Sequence, residues 1–561
     1  MRRFVLLGLV ALAMIVCVSA MPPMEEERVG DLSRLGMNNP CAKECASDTA
    51  CVAECAKCGN EGDEAFECNF KCQQKCMDKA TQCIKRCAAE PDWLKASRTT
   101  ARPQPRHHSL NTGYGPEKAI NWAGYVTVNG STPILKRHLW YWFFESRNQP
   151  DTDPLILWMT GGPGCSGLVA LFKENGPYII ADDLSLSLNP YSWNTNASII
   201  FIDQPAGTGF SYADEGDVGP FNEMEIADNV YQFLQGFLEQ NPKFRAAPFY
   251  LTGESYAGHY LPSVGYRVLE GNRDPREPKI NLQAIAIGNG LVNPKVQYAE
   301  YLPFITVQDK LPQSSLDWMA AGLPLCMDAI SKCNPDNTTS LTDCLMATAT
   351  CNLFELIPFQ FSGLNVYDVR EKCQVPPLCY DFANVDGFLA KPDVAAALGV
   401  TGITWQSCNR LINIGLVFAG DWMRDLTPLV PKILSTGVRI VVYAGEYDFV
   451  CNWYGNQAWM HAMQWPGQSA FINAKNTTWI VNQQEAGTAR QAKGLTFLRV
   501  KDAGHMVPLD QPARSLDMLH RVISGAPFGV ESTVAEPVHE QQQPTKPTRP
   551  AHGRSHTVAL E

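Results

Sequence analysis

Several short apolar runs, each closed by glycine, proline or aspartate and followed by a stretch of helical character, constrain this chain most. They are Leu155–Trp158, Ile199–Ile202, Phe249–Leu251, Ala284–Ile287, Ile440–Tyr443 and Phe497–Val500. Runs apolar on both faces suit strands buried from either side, and such strands alternating with helices build a mostly parallel sheet. One helix is legible from Val230, Phe233, Leu234, Phe237 and Leu238, a single apolar stripe at helical spacing that reads as core packing. The expected class is α/β, with the polar residues of interest beyond the carboxyl ends of the strands.

Composition narrows the setting. The 561 residues carry 46 basic and 57 acidic side chains, a formal charge of −11, which argues against nucleic-acid binding. A hydrophobic share of 45% excludes a wholly disordered chain. Twenty cysteines point to an oxidising compartment. Residues 1–20 agree, because Arg2 and Arg3 precede an apolar run from Phe4 to Val18, and Val18-Ser19-Ala20 supplies the small residues of a signal-peptide cleavage site. That run is shorter than the roughly twenty residues a span requires, and no later segment reaches that length, so no membrane span is expected. Sequons at Asn129, Asn196, Asn337 and Asn476 fit passage through a glycosylating lumen.

Ten cysteines between Cys41 and Cys87 mark a separate disulfide-built module over about 38–90. The CxxxC pairs Cys41/Cys45, Cys51/Cys55, Cys72/Cys76 and Cys83/Cys87 place both sulfurs on one helix face, so stapled helical hairpins are expected. A zinc cluster is the competing reading, and the module has no histidine. Its role is not legible, and a homodimer or another protein partner bound through it stays open. Residues 91–110 read as a linker and 530–561 as a disordered tail rich in Pro, Gln and His. The chemistry belongs to 111–529.

Phe249 to Gly258 reads as strand, sharp turn and helix, a nucleophile elbow that would expose the Ser255 oxygen. The generic G-x-S-x-G pattern wants glycine where Ala257 stands, so Ser255 alone could equally be a structural turn serine. Its partners decide. Asp448 and His505 both stand just past apolar runs, and the order Ser255, Asp448, His505 is that of α/β-hydrolases. Thr160 to Ser166 also follows a run, and its glycines suit an oxyanion hole formed by the amides of Gly162 and Tyr256. No HExxH pattern and no Gly-Lys-Ser/Thr phosphate loop occurs, so neither metal nor cofactor is expected.

These segments are recognisable. GGPGCSG from Gly161, ENGPY from Glu174, FIDQPAGTGFSY from Phe201, LTGESYAGHYLP from Leu251, AIGNGL from Ala286, AGEYDFVCNW from Ala444 and DAGHMVPLDQP from Asp502 resemble a serine carboxypeptidase of the lysosomal or vacuolar type. The resemblance implies an α/β-hydrolase fold with a helical, disulfide-stapled insertion over about 295–425. It also implies release of C-terminal residues from peptides and proteins at acidic pH through an acyl-enzyme on Ser255. The substrate carboxylate would meet Gly161, Glu174 and Glu254, together with Thr160, which stands where many relatives carry asparagine. Such acids can bind an acid when a carboxyl–carboxylate pair shares a proton. Tyr256 and Met506 would line the substrate pocket.

The family pattern further implies the bridges Cys165–Cys408, Cys326–Cys351, Cys333–Cys344 and Cys373–Cys379, leaving Cys451 as a buried thiol near the site. The expected location is the secretory pathway, ending in a lysosome or vacuole or outside the cell. Two other readings stay open. An acyltransferase would use the same triad, and a binding or protective protein would act through the cysteine-rich module.

Overall fold

The computed structural model describes residues 110–532 except 113, 133, 218, 334–340 and 377. The signal peptide, the cysteine-rich module, nearly all of the linker and tail, and Asn337 lie outside the described residues.

The strands are β1 (Leu110–Asn111), β2 (Asn121–Asn129), β3 (Lys136–Phe144), β4 (Leu155–Met159), β5 (Tyr178–Ile180), β6 (Leu186–Leu188), β7 (Ser198–Ile202) and β8 (Tyr212–Ala213). They continue with β9 (Phe249–Glu254), β10 (Leu282–Gly288), β11 (Leu364–Asn365), β12 (Asp368–Lys372), β13 (Arg439–Gly445), β14 (Thr477–Val481), β15 (Gln484–Ala492) and β16 (Leu495–Val500). One large sheet runs β1-β2-β3-β7-β4-β9-β10-β13-β16-β15-β14, with β8 beside β3. From β7 to β16 every neighbouring pair is parallel. The six apolar runs named above are those parallel strands. Antiparallel strands extend both margins.

The sheet is buried on both faces, and the two-residue period of a strand sorts its side chains between two cores. In β3, Leu139, Tyr141 and Phe143 join one core while Trp140, Trp142 and Phe144 join the other. Helix Glu223–Gln240 begins at an Asn222 cap and buries Val230, Phe233, Leu234, Phe237 and Leu238 in the first core. Helix Pro512–Ser524 covers the opposite face with Leu516, Met518, Leu519 and Val522. Burying a large apolar side chain stabilises by about 1.5–3 kcal/mol, so these two stripes hold the layers together.

Between β10 and β13 the chain builds a largely helical insertion with its own core around Met319, Ile330, Phe359 and Phe449. Cys326–Cys351 and Cys333–Cys344 staple helix Gln313–Cys333 to helix Leu341–Cys351, and Cys373–Cys379 closes a short loop. Cys165–Cys408 ties the insertion to the loop after β4, across 243 residues of sequence. In the chain-entropy account a loop that long restrains the unfolded chain by about 5 kcal/mol, against about 2 kcal/mol for the six-residue separation of Cys373 and Cys379.

Two boundaries shift. Leu110, read as the last residue of the linker, already belongs to β1 and pairs with Ala123. The tail reading from residue 530 starts too early, because Arg521 donates to the Val530 carbonyl at 2.8 Å, and Ser532 bridges Val481 and donates to Asp517. A polar segment is ordered there by hydrogen bonds, which apolar content does not reveal.

Candidate active site

Parallel register brings the ends of β4, β9, β10, β13 and β16 to one edge, where Gly288 pairs with both Glu254 and Tyr443, and Gly445 with Val500. Ser255 follows β9 with φ of +67°, a left-handed backbone that a non-glycine residue adopts only when its surroundings enforce it. They do so here: its amide donates to the Gly288 carbonyl at 2.9 Å, and its own carbonyl accepts from Gly258 and Leu291 at 2.9 and 3.0 Å. Helix Ala257–Gly271 starts at once. The glycine that the elbow needs is Gly258, where a Cβ would stand 2.5 Å from the Leu291 backbone, so Ala257 is accommodated.

Past β13 and β16, Asp448 and His505 meet. His505 Nδ1 lies 2.7 Å from Asp448 Oδ2, both side chains being almost fully buried. The same Asp448 oxygen accepts from Asn289 Nδ2 at 2.7 Å, and Asn289 is the residue directly after β10. The His505 amide donates to the Tyr367 carbonyl at 2.8 Å, with the two rings 5.0 Å apart. Asn289 and Tyr367 were not identified from the sequence. Asn289 stands inside the AIGNGL run, which was available as a signal, whereas Tyr367 is delivered by the insertion.

On the other side of Ser255 lies the loop after β4. A Cβ on Gly161 would fall 2.4 Å from the Tyr256 amide nitrogen and 2.7 Å from Ser255 Cβ, so any side chain there would fill the space above the serine. Gly162 has φ of +111°, and its carbonyl accepts from Asn413 of the insertion at 3.2 Å. Thr160 Oγ1 accepts from Trp158 Nε1 at 3.0 Å, which leaves its hydroxyl proton free to donate.

Beyond this loop, Glu174 and Glu254 are buried with their carboxyls hydrogen-bonded to each other. Burial pushes Glu174 up to about 8, with Asp510 adding to the rise. Burial, reinforced by the charge of Glu174, pushes Glu254 well above the carboxylate range. Two acids in contact cannot both ionise cheaply, so one keeps its proton and can donate a hydrogen bond.

A family model described as serine carboxypeptidase matches residues 111–525. The chain belongs to the serine carboxypeptidase family. It is 42% identical over 421 residues to serine carboxypeptidase-like 47 of Arabidopsis thaliana, covering 74% of this chain and 81% of that one. With carboxypeptidase Y of Candida albicans it shares 41% over 416 residues, 73% of this chain and 74% of the relative. Among solved structures, the prohormone-processing carboxypeptidase Kex1 of Saccharomyces cerevisiae superposes with a TM-score of 0.65 at 24% identity, covering 76% of this chain and 96% of that one, a likeness of fold. The protein is accordingly a serine-type carboxypeptidase, a hydrolase that releases residues from peptide C-termini, on an α/β-hydrolase scaffold.

In this carboxypeptidase the wall beside the acid pair is aromatic. Tyr380 and Tyr367 stand with rings 5.3 Å apart, and burial, then the charges of Asp510, Glu254 and Asp448, push the Tyr380 phenol well above its usual range. Met506, next to His505, is 8% exposed. Tyr380 was missed in the sequence because nothing local links it to a serine 125 residues earlier; its position beside Cys379 was the available signal. The carboxypeptidase also keeps Cys451 unpaired and buried, with ligand atoms of Asp448, Cys451 and His505 within 4.8 Å of one another. Burial, with the Asp448 charge, pushes its thiol well above 9. Of the sequons, Asn129 and Asn476 are exposed and Asn196 is half-buried.

Proposed function

We propose that Ser255 is the nucleophile, His505 the general base and acid, and Asp448 the residue that fixes the imidazole. With Nδ1–H bonded to Asp448, Nε2 is left as the acceptor for the Ser255 proton. Ser255 Oγ attacks the last peptide carbonyl, and its proton passes to His505 and then to the departing amine, leaving an ester on Ser255. Water, deprotonated by the same imidazole, releases the acid and restores the hydroxyl. The amides of Gly162 and Tyr256 receive the tetrahedral oxygen, a contribution worth about 3 kcal/mol for each donor.

The acid pair gives the reaction its direction. Glu174 and Glu254, with the Gly161 amide and the Thr160 hydroxyl, hold the free carboxylate of the substrate, so that only the terminal peptide bond reaches Ser255. The aromatic wall of Tyr367 and Tyr380, with Met506, receives the leaving residue, whereas the Tyr256 side chain, expected to line the pocket, is buried with its hydroxyl donating to Asp421. The observation that carries this reading is a buried pair of contacting carboxyls, Glu174 and Glu254, beside Ser255 at its left-handed turn. Ionisation of the pair, Glu174 first near pH 8, would remove a donor and set a charge against the substrate carboxylate, so the pair limits peptide binding on the alkaline side.

Four disulfides fit an oxidising secretory compartment, either vacuole-like or extracellular. Asn129, Asn196, Asn337 and Asn476 are proposed glycan acceptors, residues 1–20 a signal peptide and 38–90 a disulfide-built module. Among the described residues no helix is long and apolar enough to cross a membrane.

The deciding experiment measures free amino acid released from a blocked dipeptide between pH 4 and 8, with Ser255→Ala alongside. Release below neutrality that vanishes in the variant supports the assignment. Ester turnover without peptide release would favour acyl transfer to an alcohol.

A further inference from the structure

Beneath the elbow lies a second acid cluster that the scheme above does not use. The Tyr256 phenol is buried between His259, stacked at 4.5 Å, and Trp422, at 5.3 Å, and its hydroxyl donates to Asp421 Oδ2 at 2.8 Å. Asp421 is 1% exposed and opens a short turn of the insertion after Gly420. Its other oxygen accepts from the Glu223 amide and from Arg424 Nη1, each at 3.3 Å. The Glu223 carboxyl, also 1% exposed, faces Asp421 and the Ser263 hydroxyl of the elbow helix. Asp421 thus joins the elbow, the start of helix Glu223–Gln240 and the insertion at one point.

A lone carboxylate this deep is costly, by several kcal/mol or so before compensation. Three donors, the Tyr256 hydroxyl, the Glu223 amide and the Arg424 guanidinium, offset that, and burial with the Asp421 charge pushes the Glu223 carboxyl well above the carboxylate range. The arrangement is strong enough to hold a phenol in one place. That matters because Tyr256 directly follows a residue held at φ +67°, and a phenol fixed by Asp421, His259 and Trp422 limits how far the Ser255–Tyr256 peptide can turn. The same peptide carries the Tyr256 N–H.

We propose that Asp421 is a positioning residue for the oxyanion donor: by fixing the Tyr256 phenol it holds the Tyr256 amide against the oxygen of the tetrahedral intermediate. The inference rests on the reading of Ser255 as nucleophile and of the Tyr256 amide as donor. It assigns a catalytic consequence to a contact between the insertion and the elbow, and makes correct seating of the insertion a condition of turnover.

The test uses the full chain with two substrates, a blocked dipeptide and a blocked amino-acid ester that lacks a carboxylate. Tyr256→Phe keeps the ring and removes the donor; Asp421→Ala removes the acceptor; Asp421→Asn keeps an acceptor oxygen. The expected result is a fall in kcat of about tenfold to a hundredfold on both substrates for Tyr256→Phe and Asp421→Ala, with KM within about threefold. The double variant should be no worse than the poorer single, and Asp421→Asn should recover most of the loss. Unchanged kcat in Tyr256→Phe, a loss carried by KM, or single losses that multiply in the double variant would each overturn the proposal. Where Asp421→Ala does not fold, Tyr256→Phe decides alone. Ser255→Ala separates the two readings: if it stays active, the elbow assignment fails, and not the tether.

Discussion

Asp448 and Glu254 are both buried acids at one sheet edge, on either side of Ser255, and they differ in what surrounds them. Asp448 Oδ2 has nitrogen partners, Asn289 Nδ2 and His505 Nδ1, each 2.7 Å away. Glu254 has another acid, Glu174; one carboxyl oxygen of each, like Asp448 Oδ1, has no partner within the protein. An acid held by N–H donors is suited to orienting an imidazole. An acid held by an acid retains a proton that it can donate, which suits it to a ligand that brings its own negative charge. The difference arises from topology: β10 and β16 deliver amide and imidazole to Asp448, whereas the helix after the β4 loop ends at Glu174 and delivers a carboxyl.

The largest effect should come from breaking the first set. Asp448→Asn should lower kcat by about 10⁴-fold on peptides and esters alike, because the wrong imidazole tautomer then faces Ser255. Steady-state kinetics on both substrates check this. A loss confined to peptides would mean that Asp448 belongs with the recognition acids instead.

Breaking the second set should split the substrates. Glu254→Ala should raise peptide KM by about tenfold to a hundredfold at acidic pH, the worth of a hydrogen bond to a charged group, and leave a carboxylate-free ester nearly unchanged. In the unaltered enzyme peptide KM should rise with pH as the pair loses its proton, Glu174 first, near pH 8. With glutamine at both 174 and 254 that rise should flatten. A peptide KM independent of pH in the unaltered enzyme would remove the shared proton from the account.

The proposed triad was legible in the sequence because each of its members follows an apolar run that becomes a parallel strand. The acid pair was legible only through resemblance, since Glu174 and Glu254 are separated by 80 residues and neither carries a local pattern. The sheet margins were not read at all. β3 opens with Lys136, Arg137 and His138, which disguise a buried strand; Arg137 is fully buried because Asp217 and Glu225 meet its guanidinium at 2.9 and 2.7 Å. Such compensation is made by distant residues, as is the delivery of Tyr367 and Tyr380 by the insertion, and no local periodicity encodes it.

Stability should carry the same signature as recognition. Glu174 is raised to about 8 and Asp203, buried with Ser166, Gly167 and Phe210 as donors, to about 7; Glu254 and Glu223 are raised further. These groups bind protons more tightly folded than unfolded, so their stabilisation is complete below the unfolded values near 4–4.5. It is lost as pH rises through the folded values, at about 1.4 kcal/mol per pH unit for each proton retained. Tm followed from pH 5 to 8 should therefore fall steadily, and less steeply in Glu254→Gln. A Tm that rises over this range would contradict the buried protonated acids.

The smallest effect should come from Cys451, which borders Asp448 and His505 of the proposed triad without a role in it. Its thiol is buried and held protonated, so iodoacetamide at neutral pH should label it slowly, since alkylation needs the thiolate. A mercurial should inhibit, because soft metal binds sulfur and a group placed among Asp448, Cys451 and His505 would displace the imidazole. Cys451→Ala should abolish that inhibition while kcat on peptides stays within about threefold, since the side chain makes no bond that turnover requires. If the variant instead lost activity as Asp448→Asn does, the thiol would have to be counted among the groups that orient His505, and the line drawn between the two acid environments would have to move.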